Sequence, residues 1–266
     1  MHKLINFLLI AAVTLILVQV RDVQAQDIHV GLEPFPPAIN PDGTGYAIDM
    51  FKSIEQKTDL TFHFHLMNYA RAKKELKNKK IDMIGITPQS YETPGFYNYA
   101  QDLYWSLNVS VDLFSFKKKY FNINHLPPSS IGTLRGNADF FSELLHIPRN
   151  KFIEVSELDH LANMLKLGRL HVIVFERVAL ISTFKALNIT DVYYQQFGVI
   201  PASFAVQNNK KGKQLQNKID LLLLNISNKE FFPLYYKYKG HQGQSNKLIS
   251  NNDKKILTKG IIHKLG

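Results

Sequence analysis

The chain has 266 residues, no cysteine and a formal net charge of +10. Without cysteine, neither a disulfide framework nor a thiolate zinc site can form, so the fold must be stabilised by packing alone. The last thirty residues hold seven lysines against one aspartate, which supplies more than half of the net charge. The rest of the chain is only mildly basic, and this distribution argues against nucleic acid as a partner.

The first twenty-five residues predict a secretory signal peptide. Lys3 precedes an apolar run from Leu4 to Val20, and Val23-Gln24-Ala25 resembles a cleavage site before Gln26. Because the run has little margin for spanning a membrane, cleavage is favoured over a retained anchor, an alternative that Arg21 and Asp22 leave open. We therefore expect the mature protein to be soluble and periplasmic.

Beyond Gln26, short β-rich runs alternate with amphipathic segments. The order predicts strand, helix, strand, helix and strand at Asp27–Leu32, Ile48–Lys57, Thr61–Met67, Tyr69–Lys79 and Ile81–Ile86. Such alternation is typical of βαβ units and of a mostly parallel sheet flanked by helices. The expected fold class is therefore α/β.

The strongly β-prone stretch Leu107–Phe116 and the lysines after it predict a boundary between two lobes. In the second series we predict strands at Ser130–Leu134, Phe152–Val155, Leu170–Phe175, Val192–Gln196 and Ser203–Val206, and helices at Ala138–His146, Glu157–Gly168, Val178–Leu187, Gly212–Asn225 and Glu230–Tyr238. The predicted organisation is a signal peptide over 1–25, lobe 1 over 26–115 and 202–240, lobe 2 over 116–201, and a basic tail over 241–266. Two successive lobes indicate a cleft between them, where small-molecule sites are common.

Short segments in a fixed order carry a family resemblance. They are Val30-Gly31, Phe35-Pro36-Pro37, Gly45–Met50, Tyr69–Ala72, Leu76–Met83, Gly85–Pro88, Ile131-Gly132, Gly136 and Leu165–Val174. Together they resemble the extracellular solute-binding protein family 3, the periplasmic amino-acid-binding components of ABC importers. The resemblance spans most of residues 27 to 240.

That resemblance implies a two-lobed type II periplasmic binding protein fold, with hinge crossings near Phe114–Lys117 and Ala202–Ala205. In such a fold the lobes close on the ligand. We also expect a monomer without a cofactor. Such a protein captures a small polar, amino-acid-like ligand and delivers it to a membrane permease for ABC-type import.

Two positions depart from the family pattern. The family has an arginine that clamps the ligand carboxylate with its guanidinium fork, whereas this chain has Ser90 there, in Thr87-Pro88-Gln89-Ser90. Gly85 stands where the family often offers a hydroxyl. Both departures argue against a standard α-amino acid as the ligand.

Seven residues form the candidate ligand-binding set: Phe35, Arg71, Thr87, Tyr104, Arg135, Asn137 and Glu176. By resemblance, Phe35 covers the ligand, Tyr104 lies in the cleft, and Glu176 pairs with an ammonium group. Arg71 and Arg135 are alternative anion donors, as are the N–H groups of the turn at Gly136. Structural roles remain open for these residues: packing for the aromatic side chains, solvation for Arg71, and salt bridges for Arg135 and Glu176.

Signals for other chemistry are few. His63 and His65 lie two apart on the same face of one predicted strand, but no third ligand joins them, so no metal site is expected. The sequence has no G-x-S-x-G, H-E-x-x-H, P-loop or G-x-G-x-x-G motif, so no catalytic site is expected either. An enzyme remains an alternative, because cyclohexadienyl dehydratases resemble the same family and use a carboxylic acid in the cleft as proton donor. Glu176 is the candidate for that role in this chain. The second alternative is a ligand-sensing or interaction module. In that case the basic tail would dock to a membrane protein or to an anionic surface.

Overall fold

The computed structural model describes residues 25–238. Nearly all of the predicted signal peptide and the whole predicted basic tail lie outside this range. Within it, no helix combines the length and the apolar character that crossing a bilayer requires.

Nine strands of the described chain form one sheet. They are β1 (Gln26–Leu32), β2 (Leu60–Leu66), β3 (Met83–Pro88), β4 (Ala100–Asp102), β5 (Leu107–Ser115), β6 (Ile131–Leu134), β7 (Phe152–Val155), β8 (Val172–Glu176) and β9 (Tyr193–Gln207). Along the sheet the order is β2-β1-β3-β9-β5-β8-β6-β7, and β4 pairs with β9.

Helices cover the sheet. They are α1 (Tyr46–Glu55), α2 (Tyr69–Lys77), α3 (Pro94–Tyr97), α4 (Ala138–Leu145), α5 (Leu158–Lys166), α6 (Arg177–Ala186), α7 (Lys210–Leu223), α8 (Asn228–Phe231) and α9 (Pro233–Tyr238). Short 3₁₀ turns lie at Lys118–Phe121, Ile123–His125 and Arg149–Lys151.

The sheet divides into two lobes that share β5 and β9. In lobe 1, β1 pairs in parallel with β2 and β3. In lobe 2, β6 pairs in parallel with β7 and β8. The predicted α/β class with two lobes is confirmed, and the parallel pairing expected from the βαβ pattern holds for the outer strands of each lobe.

The two shared strands run antiparallel to each other through both lobes. The pairing extends from Leu107 opposite Ala202 to Ser115 opposite Tyr193. Between Val111 and Asp112 the register shifts, and Phe197 is the extra residue on β9. A bulge of this kind adds local twist. The lobes are therefore joined through a pair of bent strands.

The helices form because their apolar residues recur on one face. In α1, Phe51 is buried against Phe62 of β2 and Phe204 of β9, with ring centroids 4.8 Å apart in both cases. The Asn68 side chain caps α2 by accepting from the Arg71 N–H at 2.9 Å. Helix α6 is buried from Arg177 to Phe184, so it lies inside lobe 2 rather than on its surface.

Two sequence predictions differ from the structure, and a proline lies at each difference. Val192–Gln196 and Ser203–Val206 were expected as separate strands, but β9 is continuous through Pro201, whose carbonyl still accepts a hydrogen bond from the Gln89 N–H at 2.8 Å. Glu230–Tyr238 was expected as one helix. Instead Pro233 starts α9, and Phe232 before it leaves the helical region at φ −122° and ψ 56°.

Candidate functional site

A cavity with a volume of about 430 Å³, part of it open to solvent, lies where the two lobes meet the shared strands. Lobe 1 contributes Phe35, Ile86, Thr87 and Pro88, the shared strands contribute Val109, Val111, Ile200 and Ala202, and lobe 2 contributes Asn137, Phe140, Phe141, Phe175 and Glu176. The walls are mainly apolar, and three polar residues, Thr87, Asn137 and Glu176, are among those that line the cavity. This is the composition expected of a small-molecule site.

Phe35 and Phe175 form an aromatic contact across the cavity. The segment after β1 turns back on itself, with Phe35 and Ile39 exchanging both backbone hydrogen bonds at 2.7 and 3.0 Å. This turn directs Phe35 toward lobe 2, where its ring centroid lies 5.3 Å from that of Phe175 at the end of β8. The two lobes therefore touch through these rings.

Glu176 is the last residue of β8 and the N-cap of α6. Its carboxylate accepts from the Val178 N–H at 2.9 Å and from the Ala179 N–H at 2.7 Å, and the residue is 3% exposed. Burial raises the pKa of the Glu176 carboxyl to about 8, although the two backbone N–H groups act in the opposite direction. The cavity thus contains an acid whose charge state changes near neutral pH.

Behind Glu176 lies a buried ion pair. Arg177 donates to both oxygens of Asp112 in the middle of β5, at 2.6 and 2.9 Å, and also to Gln196 at 3.1 Å. Its guanidinium carbon lies 5.1 Å from the centre of the Tyr194 ring. The guanidinium fork is therefore used for internal structure and does not line the cavity.

Thr87 and Ser90 both contact the partly buried carboxylate of Asp102. The Thr87 hydroxyl donates to Asp102 at 3.0 Å, and the Ser90 N–H donates to the other oxygen of Asp102 at 2.9 Å. Burial raises the pKa of Asp102, while these bonds lower it. Ser90 itself is exposed with φ 65°. The position at which the family has a clamping arginine is therefore a surface turn held by Asp102.

The turn at Gly136 binds the side-chain carboxylate of Glu154. The N–H groups of Gly136 and Ala138 both donate to Glu154, at 2.8 and 3.0 Å, and Arg149 binds the other carboxylate oxygen at 2.8 Å. The N–H groups that the sequence offered for a ligand anion are thus occupied by Glu154.

Asn137, next in the chain, faces Glu33 of lobe 1. Glu33 follows β1, is buried, and accepts from the Tyr69 N–H at 3.1 Å. Burial raises the pKa of Glu33 to about 8, and the neighbouring Asn137 and Lys73 side chains act in the opposite direction. A polar contact between the lobes therefore adjoins the cavity.

The structure brings four of the seven candidate residues together and places three elsewhere. Phe35, Thr87, Asn137 and Glu176 line the cavity. Arg71 is exposed beside Glu75 at 3.9 Å. Tyr104 is 70% exposed and accepts a bond from Lys213 at 3.0 Å. Arg135 is exposed, and none of these three lines the cavity.

Sequence reasoning missed several residues around the cavity. Phe140 and Phe141 line it, yet adjacent aromatic residues in an amphipathic helix are normally assigned to the core. Glu33 and Asp112 offered a clearer signal, because each is an acid next to or inside an apolar strand. Acids in such positions must be paired or protonated, and this requirement distinguishes Glu33 and Asp112 in the sequence.

The histidines on the outer strands of lobe 1 also come together. His29 stacks between His63 and His65, with ring centroids 5.1 and 5.2 Å away, and His63 binds Asp27 at 2.7 Å. A hydrogen bond of 3.0 Å joins His29 to His65. Among residues 25–238, no three histidine or acidic residues are arranged to hold a metal ion.

Comparison with known proteins identifies the fold. No family profile and no curated protein matches the sequence. Among solved structures, a histidine kinase sensor domain with similarity to periplasmic binding proteins superposes with a TM-score of 0.64 at 14% identity, covering 83% of this chain and 98% of its own.

Two transport-related structures superpose comparably. A putative L-cystine ABC transporter from Listeria monocytogenes gives a TM-score of 0.62 at 16% identity, covering 82% of this chain and 99% of its own. An ABC uptake transporter substrate-binding protein from Streptococcus pneumoniae, with bound histidine, gives a TM-score of 0.60 at 20% identity. That superposition covers 83% of this chain and 95% of the other. At these identities the likeness establishes the shared fold.

Proposed function

Starting from the two-lobed fold of periplasmic binding proteins, we propose that this protein captures a small molecule between its lobes. The observation that carries the proposal is the cavity between the lobes, where residues from both lobes and both shared strands meet. Of the candidate residues, Phe35, Thr87, Asn137 and Glu176 are the ones that would contact the ligand. Arg71, Tyr104 and Arg135 would act only outside the cavity.

Capture would proceed by closure of the lobes. Strands β5 and β9 connect the two lobes and would act as the hinge. A ligand that binds both lobes favours the closed state, because its affinity for that state is higher. Contacts between the lobes, such as Phe35 with Phe175, would break on opening. The protein therefore has the parts that a hinge mechanism needs.

The solute would then pass to a membrane permease of an ABC importer. Similarity to the Listeria monocytogenes and Streptococcus pneumoniae transport proteins supports this role. The predicted signal peptide would place a monomeric protein in the periplasm. A small polar ligand, amino-acid-like or related, is the starting hypothesis.

Thermal unfolding with added solutes tests capture. A ligand that binds only the folded state at 100 times its Kd stabilises that state by about 2.7 kcal/mol, so a rise in Tm is expected for at least one compound. The panel should contain amino acids, polyamines, short peptides and small organic acids. Thr87→Val should reduce the rise, whereas the same substitution at exposed Thr190 should leave it unchanged. No rise for any compound would contradict the proposal.

Ligand sensing is a second candidate, favoured by the likeness to the histidine kinase sensor domain. A sensor would bind its solute without carrying it to a permease. Uptake of the bound solute, measured with isotopic label in cells with and without this protein, separates the two roles. Uptake that does not depend on the protein would remove transport and leave sensing.

The dehydratase alternative is not favoured over binding. The three comparison structures are a putative ABC transporter, an ABC transporter substrate-binding protein and a sensor domain. Prephenate carries two carboxylates, and no arginine or lysine is among the described residues that line the cavity. Turnover of prephenate or arogenate that is lost in Glu176→Gln would restore the enzyme hypothesis.

A further inference from the structure

The charge of the cavity restricts what it can hold. Glu176 is the only side chain among its described lining residues that can carry a charge at neutral pH. A carboxylate enclosed there would lose its hydration and would lie near Glu176 without a cation to pair with it. Burial of an unpaired charge is strongly unfavourable, because the charge loses its hydration without gaining a partner. The cavity is therefore unsuited to anionic groups.

Cationic and N–H groups near the cavity are already engaged within the chain. Arg177 is bound to Asp112 through both prongs of its guanidinium. Lys73 donates to Glu92 at 3.3 Å and to the Gly136 carbonyl at 2.9 Å. The N–H groups of the Gly136 turn hold Glu154. Neither Arg177 nor Lys73 is among the described residues that line the cavity, so a ligand carboxylate in it would have no cation beside it.

The polar groups of the cavity present acceptors. Each oxygen of Glu176 accepts one backbone N–H, and an ionised carboxylate has about four acceptor positions, so one remains on each oxygen. The Thr87 hydroxyl gives its hydrogen to Asp102, which leaves its oxygen to accept from a ligand. An ammonium group has three donors and no acceptor, and it complements this arrangement.

The walls are suited to an apolar body. Phe35, Phe140, Phe141 and Phe175 supply aromatic surface, and Ile86 and Ile200 supply aliphatic surface. Aromatic faces attract a cation that lies within about 6 Å of the ring centre, in addition to packing against apolar groups. A ligand with an apolar body and one positive end would use both properties.

We propose that the cavity takes a hydrophobic primary amine that has no carboxylate. The inference rests on the proposed capture function and narrows its ligand from small polar molecules to this class. Glu176 binds the ammonium group, and the phenylalanine side chains enclose the apolar body.

Binding of such an amine is coupled to pH. Burial holds the pKa of Glu176 at about 8, so the free protein is largely protonated there at neutral pH and the amine binds with loss of that proton. The charged or titratable groups that face Glu176 are Asp112 on β5, Arg177 on α6 and Tyr235 on α9. Affinity should rise from pH 6 to pH 8.5, because the amine stays cationic below about pH 10.

Calorimetric titration of four compounds with one phenyl ring tests the inference: 2-phenylethylamine, L-phenylalanine, 3-phenylpropionate and 2-phenylethanol. We expect the amine to bind tightest, at least about tenfold more tightly than phenylalanine, and phenylpropionate not to bind. Phenylalanine or phenylpropionate binding as tightly as the amine would overturn the inference and leave capture intact. Failure of these four compounds and of the wider solute panel would overturn capture as well.

Substitution of the acid tests its role. Glu176→Gln should lower the affinity for the amine by about tenfold or more, while the affinity for 2-phenylethanol should change by less than about threefold. The control is Glu157→Gln at an exposed position, which should change neither. Equal loss for both compounds would contradict a charge interaction. If Glu176→Gln does not fold, the pH series on the unaltered protein decides, and an amine affinity that is flat or falls from pH 6 to 8.5 overturns the inference.

Discussion

Lys73 of lobe 1 donates a hydrogen bond of 2.9 Å to the carbonyl of Gly136 in lobe 2. The same ammonium group lies 3.3 Å from the buried carboxylate of Glu92 and 4.4 Å from the centre of the Tyr69 ring. These contacts fix the Lys73 side chain on lobe 1, so its bond to Gly136 is a point at which the two lobes are held together.

Replacing Lys73 by Met should loosen closure. Loss of one charge-assisted hydrogen bond between the lobes should weaken the affinity for any bound solute by about threefold to tenfold. X-ray scattering should show a larger radius of gyration, because the open state is more populated. Lys74→Met, at an exposed position on the same helix, is the control. An unchanged radius and affinity would show that Lys73 does not control closure.

Gly136→Ala should act on closure by sterics. Gly136 has φ 97°, and an added Cβ would lie 2.7 Å from the Ala70 nitrogen of the opposite lobe. Gly43 also has a positive φ, 80°, but no atom within 4 Å of an added Cβ, so Gly43→Ala reproduces the backbone strain without the clash. We expect Gly136→Ala alone to lose solute affinity, by about tenfold or more. Similar affinities in both variants would contradict a steric block.

Removing only one partner of the buried Arg177–Asp112 ion pair should strongly destabilise the folded protein. Arg177→Met leaves Asp112 buried without its cation, and the free energy of unfolding in urea should fall by about 3–5 kcal/mol. The double variant with Asp112→Leu should recover much of that loss, since no charge remains buried. Lys211→Met removes an exposed partner of Asp82 and should cost about 1 kcal/mol or less. A double variant less stable than Arg177→Met would contradict this account.

Stability should fall with rising pH because of Glu33. Its pKa is about 8 in the folded protein and near 4.5 in an unfolded chain. Between these values the folded state binds more protons, so the free energy of unfolding decreases as pH rises from about 4.5 to about 8. Glu33→Gln removes this contribution. The unfolding free energy of the unaltered protein, measured relative to the variant, should decline over that window, and a constant difference would contradict the raised pKa.

The alternation of strands and helices was predictable because local patterns determine it. β7 at Phe152–Val155 was predicted with the bounds that the structure has, since a short β-prone run is bounded by turns. The continuity of β9 was not predictable, because Pro201 usually ends a strand. In the structure, pairing with β5 up to Ala202 and with β3 and β4 from there to Gln207 keeps the strand continuous.

The site was predictable where a motif marks it and not where distant segments meet. Phe35 and Glu176 lie at strand ends, where cleft residues collect, and both line the cavity. Tyr104 was expected in the cleft from the resemblance alone, yet it binds Lys213 on the surface. The occupation of the Gly136 turn by Glu154 depends on the pairing of β6 with β7, which the spacing of residues does not reveal.

The shared strands also decide when lobe 1 can be completed. Met83 of β3 pairs with Val206 of β9, more than a hundred residues later in the chain. As the chain leaves a ribosome or a membrane channel, β1, β2 and β3 emerge without the strand that joins them to the rest of the sheet. Pairings of such long range make folding slow. Lobe 1 therefore has an unpaired edge until almost the whole described chain has emerged, and that edge is where a chaperone would be needed.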